Sequence, residues 1–448
     1  MPHPPQSGHG SGSLKRCSRA IALAVLVATQ AGPTQAAPEW DLRGQATYIW
    51  QDKPAFKAAY SGPHSLEAAR ALSYSFTATA ALGLRLAPDW EVYANAELVQ
   101  GLPFSALTGM GGLSNGELQK SAGTHPIVYR ARLFARRTWA LGESDAGEDL
   151  GADFNRLPGR KPHDRLVLSV GNLAVTDIFD PNPYAHDARS QFLNWALLTH
   201  GAYDFAADAR GYTWGAALDW RQGDWSLRGG RFAMPVESNG LKLDGQIARQ
   251  YGDQIEAERR HRLFGQDGSL RALFWRNVAR YGNFSDALAV AGAGVPSLDG
   301  VRRRQAKSGW GLALEQGLSP NLGAFARIGA SDGRREAYTF AAIDRSASAG
   351  LSLNGQAWSR PKDSMGLAVA RNGLSAMHRR YLAAGGLDFF LGDGRLRYAS
   401  ETAVEAYLAV AVLERMTITL DLQRVQAPGY NADRGPVRFV GLRLHADF

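Results

Sequence analysis

Charged, amide and aromatic side chains are more concentrated in residues 172–210 than an exposed loop requires. Eight of them are candidates for contact with a solute: Asp187, Arg189, Gln191, Asn194, Trp195, Asp204, Asp208 and Arg210. Hydrogen-bonding groups beside an aromatic surface suit a solute that has hydroxyl edges and an apolar ring face. Opposed charges would also orient dipolar solutes and resist bare ions. Alternatively, the Asp–Arg pairs pin the segment in place and the aromatic rings pack beneath it.

Other chemistries have little support in the sequence. His186 and Ser190 lie four residues apart, but no Gly-x-Ser-x-Gly elbow accompanies them, so we predict no enzymatic activity. The histidines lack the spacing of metal ligands, and we expect no metal and no other cofactor. The formal net charge of +8 is spread along the chain without a basic cluster, which argues against a nucleic-acid partner.

The N-terminal region has the features of an export signal. Basic residues within 15–19 precede an apolar run at 20–29, which is too short to span a membrane. Small residues follow, and they place cleavage near Ala36, so residues 1–36 are predicted to be a signal peptide. The single cysteine, Cys17, would leave with this peptide. The mature chain would then contain no disulfide.

The remaining sequence has the alternation of β-strands. From Ser73 to Leu86 the even positions are apolar or aromatic and most odd positions are polar or small, and Met416–Gln423 alternates in the same way. Runs of about nine to fourteen residues exceed ordinary soluble strands and match tilted membrane strands. A β-sandwich with one wet face is the alternative. We predict about sixteen strands, at residues 40–50, 73–86, 90–100, 128–141, 165–171, 211–221, 224–234, 254–264, 269–281, 307–316, 322–331, 346–357, 363–371, 402–413, 415–426 and 436–448.

The connections between these strands alternate in length. Every second one is short, as at 87–89, whereas those between them are long, as at 101–127 and 172–210. Short periplasmic turns opposite long extracellular loops are typical of outer-membrane barrels. We therefore predict an all-β fold, a transmembrane antiparallel β-barrel of about sixteen strands over residues 37–448, with loop 172–210 folded inward. The connection 142–164 is an exception, because it lies on the turn side and is nevertheless long and polar.

The final strand carries a further signal. Val440, Leu442, Leu444, Ala446 and Phe448 alternate with other residues, and the sequence stops on Phe448. An alternating closing strand with a terminal aromatic residue resembles the sorting signal of outer-membrane barrels. We therefore expect Phe448 to be a membrane assembly signal for the barrel assembly machinery.

Several motifs resemble those of the carbohydrate-selective porins of the OprB type. They include Gly171-Asn172-Leu173, Asp177-Ile178-Phe179-Asp180, the run from Tyr184 to Trp195, Pro428-Gly429-Tyr430-Asn431 and Arg434-Gly435-Pro436-Val437. The resemblance covers about residues 165–448 well and the first third loosely. It implies a sixteen-stranded pore that favours glucose and related sugars, narrowed by inward-folding loops with Arg and acidic side chains.

The function expected from this resemblance is diffusion of small carbohydrates across the Gram-negative outer membrane into the periplasm. A polysaccharide export channel of the alginate type is the alternative, although it should have about eighteen strands and a mainly cationic constriction. The expected partners are small carbohydrate solutes, outer-membrane lipids and the barrel assembly machinery. A monomer and a homotrimer both fit the sequence, because a subunit interface has the same apolar pattern as a lipid-facing wall.

Overall fold

The computed structural model describes residues 39–118, 122–142, 147–263 and 265–448. The predicted signal peptide, residues 1–36, lies outside these ranges. Within them, sixteen strands form a closed barrel and two more form a separate sheet. The predicted all-β barrel and its strand number are therefore confirmed.

Most of the regular elements in the described ranges are β-strands. The strands are β1 (Glu39–Lys53), β2 (Ala71–Ala87), β3 (Trp90–Leu102), β4 (Ile127–Ala140), β5 (Gly147–Leu150), β6 (Gly159–Pro162), β7 (Arg165–Leu173), β8 (Thr213–Gln222), β9 (Trp225–Ala233), β10 (Tyr251–Leu263), β11 (Gln266–Tyr281), β12 (Arg303–Gly317), β13 (Leu322–Ser331), β14 (Arg345–Asn354), β15 (Ser364–Gly373), β16 (Glu401–Leu413), β17 (Met416–Gln426) and β18 (Val437–Asp447). The helices are α1 (Trp195–Leu198), α2 (Phe284–Ala291) and α3 (Ala376–Ala383), with 3-10 turns at Phe104–Leu107, Val175–Asp177, Asp299–Val301, Gly355–Trp358 and Pro428–Tyr430. No described helix has the length and apolar character needed to cross a membrane.

Side-chain alternation decides which face of each strand is buried. On β17, Leu420 is 47% exposed, whereas its neighbours Thr419 and Asp421 are almost fully buried. The pattern is the same on β18, where Leu442 faces outward and Arg443 inward. Because the side-chain period of a strand is two, the apolar residues share the outer surface and the polar ones share the interior.

Closure of the barrel depends on the first and last strands. β1 pairs with β18 from Gln45 opposite Asp447 to Asp52 opposite Val440. Beyond this ladder, the backbone N–H of Phe448 donates to Gly44 O (2.9 Å), and Gly44 N–H donates back to Phe448 O (2.7 Å). The Phe448 ring lies over Gly44, where an added Cβ would clash with it. Phe448 thus extends the closing seam by one residue.

The two ends of the barrel differ in their connections. Those at one end are tight, such as 223–224 between β8 and β9, and those at the other are long, such as 174–212 between β7 and β8. This asymmetry places the tight turns at the periplasm and the long loops outside the cell. The long turn-side connection after β4 contains the hairpin β5–β6, which returns to the barrel mouth where Lys161 pairs with Glu91 at 2.5 Å.

Candidate solute constriction

Residues 174–212 connect β7 to β8 and are largely buried. Their side chains and backbone bond to inward-facing residues of several strands. Asp180 pairs with Arg327 of β13, and Arg189 pairs with Glu97 of β3. In the strand order of the sixteen-stranded ring, β13 and β3 lie eight positions apart and are diametrically opposed. The 174–212 segment therefore reaches two opposite walls of the barrel.

The attachment to β13 is a buried ion pair with additional hydrogen bonds. The Arg327 guanidinium donates from Nε to Asp180 Oδ1 (3.0 Å), and from its two other nitrogens to Leu197 O (2.9 Å) and Ala185 O (2.8 Å). Burial would raise the pKa of Asp180, but the charge of Arg327 outweighs it, with help from His200, and holds that pKa at about 2. The carboxylate therefore stays ionised, and one guanidinium joins three points of the segment.

A second attachment uses wall residues of opposite charge. Arg443 of β18 donates to Ala188 O (2.6 Å) and Gln191 O (2.8 Å). Glu405 of β16 accepts hydrogen bonds from the backbone N–H groups of Leu193 and Asn194, the latter at 2.8 Å. Arg443 binds carbonyls and Glu405 binds amide N–H groups, so both ends of the turn 188–194 are fixed to the wall by hydrogen bonds.

Arg189 and Asp187 do not pair with each other through their side chains. The Arg189 guanidinium binds Glu117 in a bidentate manner (2.6 and 2.9 Å) and Glu97 at 3.0 Å. Asp187 instead accepts from the backbone of Arg189 (2.9 Å) and from the Ser190 hydroxyl (2.8 Å), and it is exposed to the interior space. The enclosed position of Asp187 inside the barrel reduces its hydration and would raise its pKa, but the charge and backbone N–H of Arg189 outweigh this effect and lower the pKa of Asp187. Asp187 is therefore an accessible anion, whereas Arg189 is balanced by two carboxylates.

The amide side chains of Gln191 and Asn194 serve the segment itself. Gln191 Oε1 accepts from the backbone of His186 (2.7 Å) and Asp187 (3.1 Å), and its Nε2 donates to Pro183 O (2.7 Å). Asn194 caps α1 by accepting from Ala196 N–H at 3.1 Å. Their hydrogen-bonding groups are thus largely committed within the protein.

An aromatic stack contains the predicted Trp195. Its ring lies 4.6 Å from that of Phe340 at an interplanar angle of 21° and 6.2 Å from that of Phe205. Tyr203 packs against Phe205 at 5.3 Å and is buried. Trp195 and Phe340 are only partly buried, so the stack presents part of its surface to the interior.

The remaining predicted residues are separated along the walls. Asp204 is buried, and its carboxylate accepts from Lys307 at 3.1 Å and from the backbone of Tyr338 (3.0 Å). Asp208 shapes the last turn of the segment by accepting from the Arg210 backbone at 2.8 Å. The Arg210 guanidinium lies over the Tyr129 ring, 4.4 Å from its centroid. The eight predicted residues do not form one cluster.

A second connection also enters the barrel and was not among the predicted site residues. Residues 103–118, between β3 and β4, supply Glu117 to Arg189, and Ser114 O accepts from Gln51 (3.1 Å) and Gln423 (2.8 Å) of the walls. Glu97, Arg327, Glu405 and Arg443, which hold the 174–212 segment, were likewise missed. Each of these four side chains lies at an inward position of its strand. In the sequence, only a charged residue at an inward position of an alternating strand could have indicated them.

Among the described residues, no group of three or more His, Cys, Asp or Glu side chains is placed to hold a metal ion. The interior instead presents the Asp187 carboxylate, the Arg210 guanidinium over an aromatic ring and the partly open aromatic stack of Trp195. The segment that carries them is held to the walls by ion pairs. Such a surface can exchange hydrogen bonds with a polar solute and stack against a ring face.

Comparison with known proteins agrees with this description. The sequence model of the OprB family of carbohydrate-selective porins matches residues 63–448. The high-pH structure of OprB from Pseudomonas putida matches with a TM-score of 0.69 and 16% identity over 91% of this chain and 94% of that chain. OccAB1 of Acinetobacter baumannii matches with a TM-score of 0.48 and 9% identity over 92% and 96%. No curated protein shows significant sequence similarity. None of these matches supports the polysaccharide export channel.

Proposed function

This outer-membrane channel belongs to the OprB family of carbohydrate-selective porins, and we propose that it selects small, glucose-like sugars at the 174–212 segment. The observation that carries the proposal is the attachment of this one segment to opposed walls, through Arg327 on β13 and Glu97 on β3. A chain held in this way crosses the interior and narrows any path between the two mouths. The family is one of channels rather than enzymes.

Selection by this constriction would combine two kinds of contact. Asp187 supplies an accessible carboxylate that accepts hydrogen bonds from sugar hydroxyls, and Trp195 supplies part of an aromatic face for the sugar ring. Arg210 adds donors at another point of the wall. Both contacts make binding of a neutral sugar more favourable, whereas the aromatic surface contributes little to the binding of a small ion.

The ion pairs have a different role in this proposal. Because Arg189 is balanced by Glu97 and Glu117, its charge fixes the segment and contributes little free positive potential. This assigns Arg189, Asn194, Gln191 and Asp204 to support of the constriction. Asp187, Trp195 and Arg210 are assigned to contact with solutes.

Planar-bilayer recording with glucose tests these roles. Trp195→Ala should weaken glucose block by about two- to tenfold, the range expected for loss of an aromatic contact, while the ion conductance changes less. Asp187→Asn should shift the cation-to-anion preference. A matched control is Asp433→Asn, which removes a partly exposed carboxylate paired with Arg397 outside the segment.

The outcome that opposes the proposal is equally specific. If the parent, both segment variants and the control show one conductance, one ion preference and one glucose block, the 174–212 segment does not select solutes. Cold and boiled gel mobility of each variant should be compared beforehand, so that a folding defect is not mistaken for altered selection.

A further inference from the structure

Unpaired arginines occupy the outer face of the barrel at its extracellular end. Arg280 of β11 and Arg304 of β12 both face outward, are exposed and lie directly opposite each other across the two strands. Arg424 of β17 and Arg438 of β18 form a second directly opposed pair. Each of the four lies within three residues of the loop end of its strand.

A third pair lies between these two on the ring. Arg371 of β15 is opposite Ala347 of β14, and Arg345 is two residues from Ala347 on the same strand, so the two arginines are diagonal neighbours. Both face outward and are exposed. We call these six residues, Arg280, Arg304, Arg345, Arg371, Arg424 and Arg438, the arginine rim.

Like charges directly opposite each other across two strands destabilise a sheet. Within the described residues, none of the six arginines of the rim forms an ion pair with a carboxylate. A neighbouring site shows the usual alternative: Asp253 faces outward opposite Arg231 and Arg276, and it binds Arg231 at 2.7 Å. The rim therefore requires counter-charge from outside the chain.

The surroundings of the rim identify the class of partner. Its arginines are exposed on the outer face, at the loop ends of their strands. In an outer-membrane barrel these strand ends are where the outer leaflet meets water. The anions at that level are lipid phosphates, and paired guanidinium groups bind phosphate oxygens in a bidentate manner. We propose that the arginine rim binds the phosphate groups of lipopolysaccharide in the outer leaflet.

The opposite end of the barrel provides a contrast. Outward-facing Arg137 and Arg259 at the turn side each lie over a tryptophan, Trp90 at 5.3 Å and Trp225 at 5.4 Å. Arg137 also binds Asp89 at 2.8 Å. These two arginines therefore have partners within the protein, unlike those of the rim.

The test compares lipopolysaccharide binding by the full-length porin and by variants in nanodiscs, measured by native mass spectrometry. The rim variant combines Arg280→Gln, Arg304→Gln, Arg424→Gln and Arg438→Gln. The matched control combines Arg137→Gln and Arg259→Gln. The rim variant should bind lipopolysaccharide at least about tenfold more weakly than the parent, and the control should bind like the parent. With dephosphorylated lipopolysaccharide, parent and rim variant should bind alike.

A stability measurement separates loss of a site from loss of folding. In neutral detergent the rim variant should melt at or above the temperature of the parent, because repulsion between opposed arginines has been removed. With lipopolysaccharide added, the parent should melt at a higher temperature than the rim variant. Equal lipopolysaccharide binding by parent and rim variant would overturn the proposal. So would equal binding of phosphatidylglycerol and lipopolysaccharide to the parent, or cross-linking that shows a second porin copy on the rim.

Discussion

Removal of the Arg327 guanidinium should loosen the constriction without unfolding the barrel. In the variant Arg327→Met, Asp180 would remain buried without its ionic partner, and Leu197 O and Ala185 O would each lose a donor. Breaking one side of a buried ion pair typically costs about 3–5 kcal/mol. The strand ladder of β13 does not depend on this side chain, so the cost should fall on the 174–212 segment.

Single-channel recording detects this loosening directly. We expect Arg327→Met channels to conduct more current, with larger open-channel noise and weaker glucose block than the parent. The double variant Asp180→Asn with Arg327→Met removes both charges and leaves no buried charge unpaired. Its conductance, noise and glucose block should therefore lie between those of Arg327→Met and the parent.

A second buried ion pair serves as the matched control. Arg271 on β11 binds Glu315 on β12 at 2.5 and 2.8 Å, and both residues belong to the wall. Arg271→Met should lower barrel stability but leave glucose block unchanged. Arg327→Met channels that fold, as judged by gel mobility, and keep the conductance, noise and glucose block of the parent would contradict this role of Arg327. An equally strong change of glucose block in Arg271→Met would contradict it as well.

Three further predictions concern folding and pH. Leu420→Arg should destabilise the barrel by about 2–4 kcal/mol because it places a charge on the lipid face, whereas Leu420→Ala should cost less; urea unfolding in liposomes measures both. Phe448→Asp should lower the amount of porin in the outer membrane but leave the conductance of assembled channels unchanged, so normal membrane levels would refute its role in assembly. Burial alone would lower the pKa of His378, but Asp344 and Asp388 raise it from the ordinary 6.5 to about 9. This shift corresponds to about 3 kcal/mol of stabilisation of the folded state. The stabilisation is present below pH 6.5 and is lost as the pH rises through about 9. The gap in melting temperature between parent and His378→Asn should therefore be large at pH 6 and small at pH 10.

The barrel was predictable because its signal is local. A membrane strand shows its two faces by alternation within about ten residues, and β13 was predicted at 322–331, its observed bounds. β12 begins at Arg303 rather than at residue 307, because Arg303–Ala306 do not alternate clearly and are held by pairing with β11. Tyr212 precedes β8 and has the same parity as the outward-facing Leu218, yet its hydroxyl donates to Glu97 inside the barrel (3.2 Å).

The site was less predictable because its contacts join distant parts of the chain. The sequence suggested opposed charges within one loop, but the partners of Arg189 are Glu117 and Glu97, 72 and 92 residues away in sequence. Sequence alternation assigns Arg327 and Arg443 to the interior but cannot show which segment they bind. The proposed division between supporting and solute-contacting residues therefore depends on the structure.

Liposome swelling with sugars and other solutes measures whether the channel selects sugars at the 174–212 segment. Purified parent porin should admit glucose faster than amino acids of similar mass, and disaccharides more slowly than glucose. Trp195→Ala should reduce the advantage of glucose without reducing the permeation of small amino acids. Permeation ranked by solute mass alone, and the same for parent and Trp195→Ala, would contradict sugar selection at the 174–212 segment.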